Sequence, residues 1–419
     1  MKKIFVYMAS AVLVFAVSCN KEEVNVDTTA PVETELITVD LNLMTKTALG
    51  AGGATTWDAD DEVSVTVGGE GVGTLKLVEG STFSGEIVAG LSGEAVLNYP
   101  AGVTDVPTIQ TAVAGSFADG AALLEGTTTV EDLRAGTGVE LQNKTALLQF
   151  TVLQAGDVTF EVGETKYTVT GCQTGPTYYA CVTPVEDASF VARIDGYLSK
   201  QASNNVTFIA NKIANLQALP APVKASWGVI GLNGDWNNDI VMYKDLDGYF
   251  VAKNVNIKST DEFKIRKDGK WDTSIAGGIT APNTKRTAGW VNMTVSEAGT
   301  YDVYSDGSNY FIMTPGKFPT EAVAPGPIEI TITYSGDTDR NYIHIWSDGG
   351  EIANNKQSSS SNPFTWKITV PVGDQQKRDY QFILKKGSGW GSYQTADSDK
   401  LCLRNPMPLK IVNDKVTHK

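Results

Sequence analysis

The chain has 419 residues, room for several domains at roughly 150 residues each, and its 42% hydrophobic content with 41 glycines fits packed cores and excludes wholesale disorder. A formal charge of -14, from 34 Lys and Arg against 48 Asp and Glu, excludes a general nucleic-acid binder that works by neutralising phosphates. Only two histidines are present, His344 and His418, which removes His-dyad metal sites and most His-dependent triads, so no catalytic centre, metal or cofactor is expected.

The two halves of the chain differ in kind. From Cys19 to Pro222 there are 26 acidic and 9 basic residues, against 22 and 23 from Val223 to Lys419. Seven of the eight tryptophans also fall in the second half, Trp57 being the exception. A neutral, Trp-rich surface suits sugars better than ions, because the C–H face of a pyranose stacks on a flat, rigid aromatic ring.

Residues 1–18 predict an export signal. Lys2 and Lys3 form a positive start, an apolar run extends from Ile4 to Val17, and small residues precede Cys19. The run is too short for a membrane span. The window Ala16-Val17-Ser18-Cys19 resembles a bacterial lipobox, and Asn20-Lys21-Glu22-Glu23 resembles the acidic export signal of Bacteroidetes surface lipoproteins. That resemblance implies cleavage, acylation of Cys19 and a lipid anchor in the outer membrane, facing the cell exterior; acyl chains contribute ~0.8 kcal/mol per buried CH₂. Residues 19–35 are polar, with Thr28, Thr29 and Pro31, and predict a tether.

Beyond the tether the chain is written in period two, as in Leu36-Ile37-Thr38-Val39-Asp40-Leu41, Val63-Ser64-Val65-Thr66-Val67 and Val158-Thr159-Phe160-Glu161-Val162. Short alternating runs between Gly, Asp and Asn turns predict antiparallel sheets, so the expected fold class is all-β, a tandem array of β-sandwiches. The Pro-rich Leu219-Pro220-Ala221-Pro222 and the aperiodic linker 319–327 predict domains at 36–222, 223–318 and 328–419. Cys172 and Cys181 flank the turn-like Gln173-Thr174-Gly175-Pro176, where a hairpin bridge and two separate buried thiols are both open.

In the first domain, TKTALGAGGATTWDADDEVSV (Thr45 to Val65), LNYPAGV (Leu97 to Val103) and VELQNKTALLQFTV (Val139 to Val152) resemble, in that order, the Bacteroidetes fimbrillin-like (Mfa-like) domain. The resemblance implies a β-sandwich of fimbrial-subunit type. Leu97-Asn98 before Tyr99, and the short segment between the second and third motifs, depart from the family pattern and argue against polymerisation. On physical grounds Trp57, between a Gly-rich loop and an acidic turn, plugs the end of the sandwich. Asp58, Asp60 and Asp61 read as a solvated turn before a calcium site.

The second domain carries WGVIGLNGDWNNDIVMYKDLDGYFVAKNVNI (Trp227 to Ile257), EFKIRKDGKWDTSIAG (Glu262 to Gly277) and AGTYDVYSDGSNYFIM (Ala298 to Met313), which resemble a domain of the SusE and SusF starch-utilisation lipoproteins. Alternation in Phe263-Lys264-Ile265-Arg266 predicts Phe263 and Ile265 in the core with Lys264 and Arg266 outside. Trp236 and Trp271 stand where that family places tryptophan whether or not a domain binds sugar, and read as packing first and ligand platforms second. Trp290, outside the shared patterns and close behind Lys285 and Arg286, marks with them a second candidate carbohydrate site.

The third domain carries IEITITYSGDTDRNYIHIWSDGG (Ile328 to Gly350), FTWKITVPV (Phe364 to Val372) and YQFILKKGSGWGSYQTAD (Tyr380 to Asp397), which resemble starch-binding carbohydrate-binding modules built as small β-sandwiches. In Tyr342-Ile343-His344-Ile345-Trp346 the two Ile face the core, so Tyr342, His344 and Trp346 form a ring-lined stripe on an exposed strand surface. The last motif ends a strand at Lys385-Lys386 and enters a Gly-flexed loop carrying Trp390, with Gln394 and Asp397 behind it. In the module family this loop supplies a second aromatic and a polar group for sugar hydroxyls. The resemblance thus implies a carbohydrate site of Tyr342, His344, Trp346, Lys385, Trp390, Gln394 and Asp397. Two aromatics set at an angle match a curved α-1,4-glucan, and flat parallel rings a straight, cellulose-like chain. Trp366 reads as core. No carboxylate pair is set in the deep cleft a glycosidase needs.

The expected function is therefore a non-catalytic surface lipoprotein that captures polysaccharide, an α-glucan above others, for an uptake system with a TonB-dependent transporter as partner. The alternative is a fimbrial accessory subunit or adhesin that binds host or bacterial surfaces through the acidic N-terminal half.

Overall fold

The computed structural model describes residues 32–43, 57–116, 121–289, 291–336, 339–347, 350–361, 363–375, 380–389, 401–403, 409–412 and 415–418. Cys19, Trp290, Trp390, Gln394 and Asp397 lie outside the described residues. The fold is all-β with many sheets, as the alternation predicts; the one α-helix among the described residues, Val130–Arg134, is a single turn capped by the Thr129 side chain. No helix among them is long and apolar enough to cross a membrane.

Among the described residues, alternating side chains collect in four main hydrophobic cores. The first is a closed barrel of seven strands in the order Thr34–Leu43, Thr82–Val88, Glu70–Glu79, Glu62–Val67, Glu94–Tyr99, Leu124–Thr129 and Val139–Asn143. A parallel pairing of Leu41 with Val139 closes it, which leaves no unpaired sheet edge. Its wall passes so close to itself that a Cβ on Gly73 or Gly85 would stand 2.3 or 2.1 Å from a facing carbonyl oxygen. Trp57 lies edge-on to Phe83 and Tyr99, at 4.8 and 5.2 Å between ring centroids, and donates from Nε1 to the Leu41 carbonyl. The Asp61 carboxylate accepts from the Tyr99 hydroxyl and the Asp58 amide, which ties the acidic turn to the barrel.

The second core fills a sandwich between the sheet Tyr197–Gln201, Phe190–Ile194, Gly156–Val162, Thr165–Cys172, Ile109–Thr111 and the sheet Tyr178–Val182, Ala146–Val152, Ile213–Leu219. The stretch 36–222 thus holds two cores. Cys172 and Cys181 are both free and buried, and burial pushes each thiol up to about 12.

The third unit is an eight-stranded sheet running Ser274–Ile275, Lys264–Lys267, Lys224–Ile230, Ile240–Lys244, Phe250–Ile257, Gly299–Ser305, Asn309–Met313, Thr284–Thr287. Its core includes Val229, Met242, Phe263, Ile265 and Val303. Alternation breaks at Phe250-Val251-Ala252, all buried, because Val251 joins Tyr304 and Phe311 in a second cluster against Tyr197 of the preceding sandwich. Arg193 bridges the same joint, donating from Nη1 to Asp245 Oδ1 at 2.8 Å.

The last unit pairs the sheet Phe364–Val370, Ile328–Ser335, Leu409–Val412, Lys415–His418 with the sheet Gly350–Gln357, Tyr342–Ser347, Tyr380–Lys385, Leu401–Leu403. Ile279 of the third unit enters its core, and the Gln375 amide caps the joint by donating to the Gly326 and Val370 carbonyls at 2.8 and 3.0 Å.

Candidate functional site

The strand Tyr342–Ser347 runs between two neighbours, and Ile343 and Ile345 enter the core as alternation demands. Tyr342, His344 and Trp346 share the other face, opposite Lys385, Ile383 and Gln381 on the adjacent strand. That face differs from the exposed stripe expected from sequence: His344 keeps 3% of its exposure and Lys385 none, while Tyr342 and Trp346 are half-buried. Alternation tells which face a side chain takes and not whether that face is covered. The Lys385 ammonium donates to the Ser388 carbonyl at 3.2 Å, and burial holds its pKa below the usual lysine range. His344 stands 5.3 Å from the Trp346 ring, and its Nε2 is 3.8 Å from a Glu351 carboxylate oxygen.

Burial holds the His344 imidazole below its ordinary value of 6.5, against the opposing pull of Glu351. The fold therefore favours neutral His344. Stability from this group is complete above the unfolded value and declines as pH falls through the lower folded value. Thermal melts should show the last sandwich less stable at pH 5.5 than at pH 7.5, with His344→Phe shrinking the difference. An equal difference in both proteins would contradict the assignment.

Of the second expected set, Lys285 is exposed and Arg286 is buried. The two lie on opposite faces of Thr284–Thr287, and Arg286 donates to the Ile279 carbonyl and the Gln375 side-chain oxygen. Arg286 thus belongs to the joint between the third and last units and does not offer a sugar-facing cation.

Trp236 and Trp271, which the sequence offers as packing first and as ligand platforms second, meet as a half-buried and an exposed ring. The turn Gly231–Asp235 reverses the chain through Gly231, whose φ of 104° favours glycine and where a Cβ would stand 2.6 Å from the Trp236 ring. The missing side chain lets the indole lie against the turn. The Asp235 carboxylate accepts from Asn237 N, Asn238 N and Asn238 Nδ2, chiefly the last of which holds its pKa low. The register Trp227 to Lys267 brings the following hairpin alongside. Trp271 there is 51% exposed, with the Arg266 guanidinium 4.5 Å from its ring centroid. Arg266, expected to point into solvent, is instead covered by that ring and donates from Nε to Asp239 Oδ1 and Oδ2 at 2.8 and 3.2 Å. The two indoles stand 5.9 Å apart between centroids, inclined by 48°. The result is a bent aromatic shelf backed by the ion pair of buried Arg266 with half-buried Asp239 and flanked by the exposed amides Asn237 and Asn238.

No protein-family profile matches the chain, and no curated protein matches it. Among solved structures, a proposed cell adhesion protein of Bacteroides uniformis aligns at 13% identity over 43% of this chain and 93% of its own, with a TM-score of 0.26. A fimbrial protein of Bacteroides ovatus aligns at 10% identity over 53% and 58%, with a TM-score of 0.27. A proposed cell adhesion protein of Bacteroides ovatus aligns at 14% over 44% and 92%, with a TM-score of 0.28. Likenesses of this size assign neither a fold nor a function to the chain.

Proposed function

We propose that the protein is a non-catalytic cell-surface protein that binds a glycan chain, an α-glucan before others, on the Trp236–Trp271 shelf of its third unit. The observation that carries this reading is the 48° inclination of two accessible indoles. Each ring can stack under one pyranose, and the angle between them suits a chain that curves. Arg266 holds Trp271 in place from behind, so little ordering is left for the ligand to impose. Tyr342 and Trp346, with Trp390, Gln394 and Asp397, remain a second place for sugar on the last unit. Acylation at Cys19, anchoring in the outer membrane and delivery to a TonB-dependent transporter complete the reading.

Adhesion is the second reading, and the names of the solved Bacteroides chains go with it. A glycan array probed with the chain from Cys19 onward separates the two. Binding confined to α-glucans is expected. Binding to whole cells with no glycan bound would favour adhesion and remove the sugar assignment.

A further inference from the structure

A cavity of about 550 Å³ lies between the second core and the third unit, in the size range of small-molecule pockets. One wall is the outer face of the sandwich sheet, where Thr159, Glu161, Thr168 and Arg193 alternate with core residues. Lys253, Asp302 and Tyr304 of the third unit face it, and the segment Pro315–Phe318 with Glu321 closes one end.

The charges around it are matched. Glu161 lies 3.4 Å from Lys166 and 3.2 Å from Arg193, which also pairs with Asp245. Lys253 stands 3.6 Å from Asp302, and Lys317 3.9 Å from Glu321. A cavity whose cations and anions come in pairs gives no net attraction to an anion or a cation. It does suit hydroxyl groups, since each can accept from the cation and donate to the anion of one pair. The Lys253 ammonium donates to the Tyr304 hydroxyl at 3.4 Å and stands 3.6 Å from Asp302, an ion-pair contact outside hydrogen-bonding distance, so it has donor capacity for a further partner. Phe318, half-buried, adds aromatic surface to the polar walls, packed on the buried Tyr304 ring at 5.6 Å between centroids.

We propose that this cavity binds a short neutral oligosaccharide, about two or three sugar units by volume. It shares no residue with the Trp236–Trp271 shelf. The test uses the full chain carrying Trp236→Ala and Trp271→Ala, which removes the shelf. Isothermal titration with maltotriose, cellotriose and mannotriose should still detect binding of at least one, and that sugar should slow hydrogen exchange across Pro315–Glu321. Lys253→Met, which keeps the stem and removes the ammonium, and Thr168→Trp, which fills the cavity, should each weaken that binding at least tenfold in protein that is still folded at the titration temperature, the first with a lowered thermal midpoint because Asp302 loses its cation. No binding of any of the three sugars, tighter binding of a charged trisaccharide such as trigalacturonate, or full affinity in Lys253→Met would overturn the proposal. Lys253→Met decides alone if Thr168→Trp fails to fold.

Discussion

Trp366→Ala should destabilise the last sandwich by about 3–5 kcal/mol, the range for emptying a large aromatic from a core. Trp366 has no exposed surface and sits in the centre of Phe364–Val370, opposite Ile332 in register, with the Phe364 ring 6.2 Å away. Its Nε1 also donates to the Lys356 carbonyl of the facing sheet at 3.0 Å, so the substitution removes a link between sheets as well as volume. Domains hold together by about 5–15 kcal/mol, and a loss of this size brings the unit close to unfolding at ambient temperature. Denaturant melts followed by hydrogen exchange should find Ile328–Ser335 losing protection before the barrel does. Trp346→Ala, which removes a half-buried ring from the outer face, should cost far less. A loss below about 1 kcal/mol for Trp366→Ala would place that side chain outside the core.

Much of the fold was legible because alternation is a local signal. Val63 and Val65, Phe263 and Ile265, and Ile343 and Ile345 all enter cores where the sequence puts them. Closure of the barrel was not legible, since the pairing of Leu41 with Val139 joins segments with most of the barrel between them and nothing local encodes it. The same holds for coverage. His344 and Arg266 take the faces that alternation assigns and each is then covered, as is Lys385, which the module resemblance implied as a sugar contact.

The aromatic shelf was half legible. Both tryptophans stand beside turn signals, GDW and DGKW, which places each at a hairpin end. Their meeting depends on the register of Lys224–Ile230 against Lys264–Lys267, fixed by the buried Val229 and Ile265. A motif read by itself carries no register. Arg266 under Trp271 follows from the same pairing, because Gly228 opposite Arg266 adds no side chain of its own.

Titration of the full chain with maltoheptaose, against its Trp236→Ala/Trp271→Ala counterpart, tests glycan capture on the shelf most directly. Each ring should contribute on the order of 1–1.5 kcal/mol beyond its buried area, by analogy with aromatic pairs, so losing both should weaken binding by about a hundredfold. The variant should melt like the parent, because Trp271 is half exposed and Trp236 rests on the turn at Gly231. Binding that falls by that factor in a folded variant is the result this account predicts. Affinity unchanged in the variant, or no heat of binding in the parent, would contradict it.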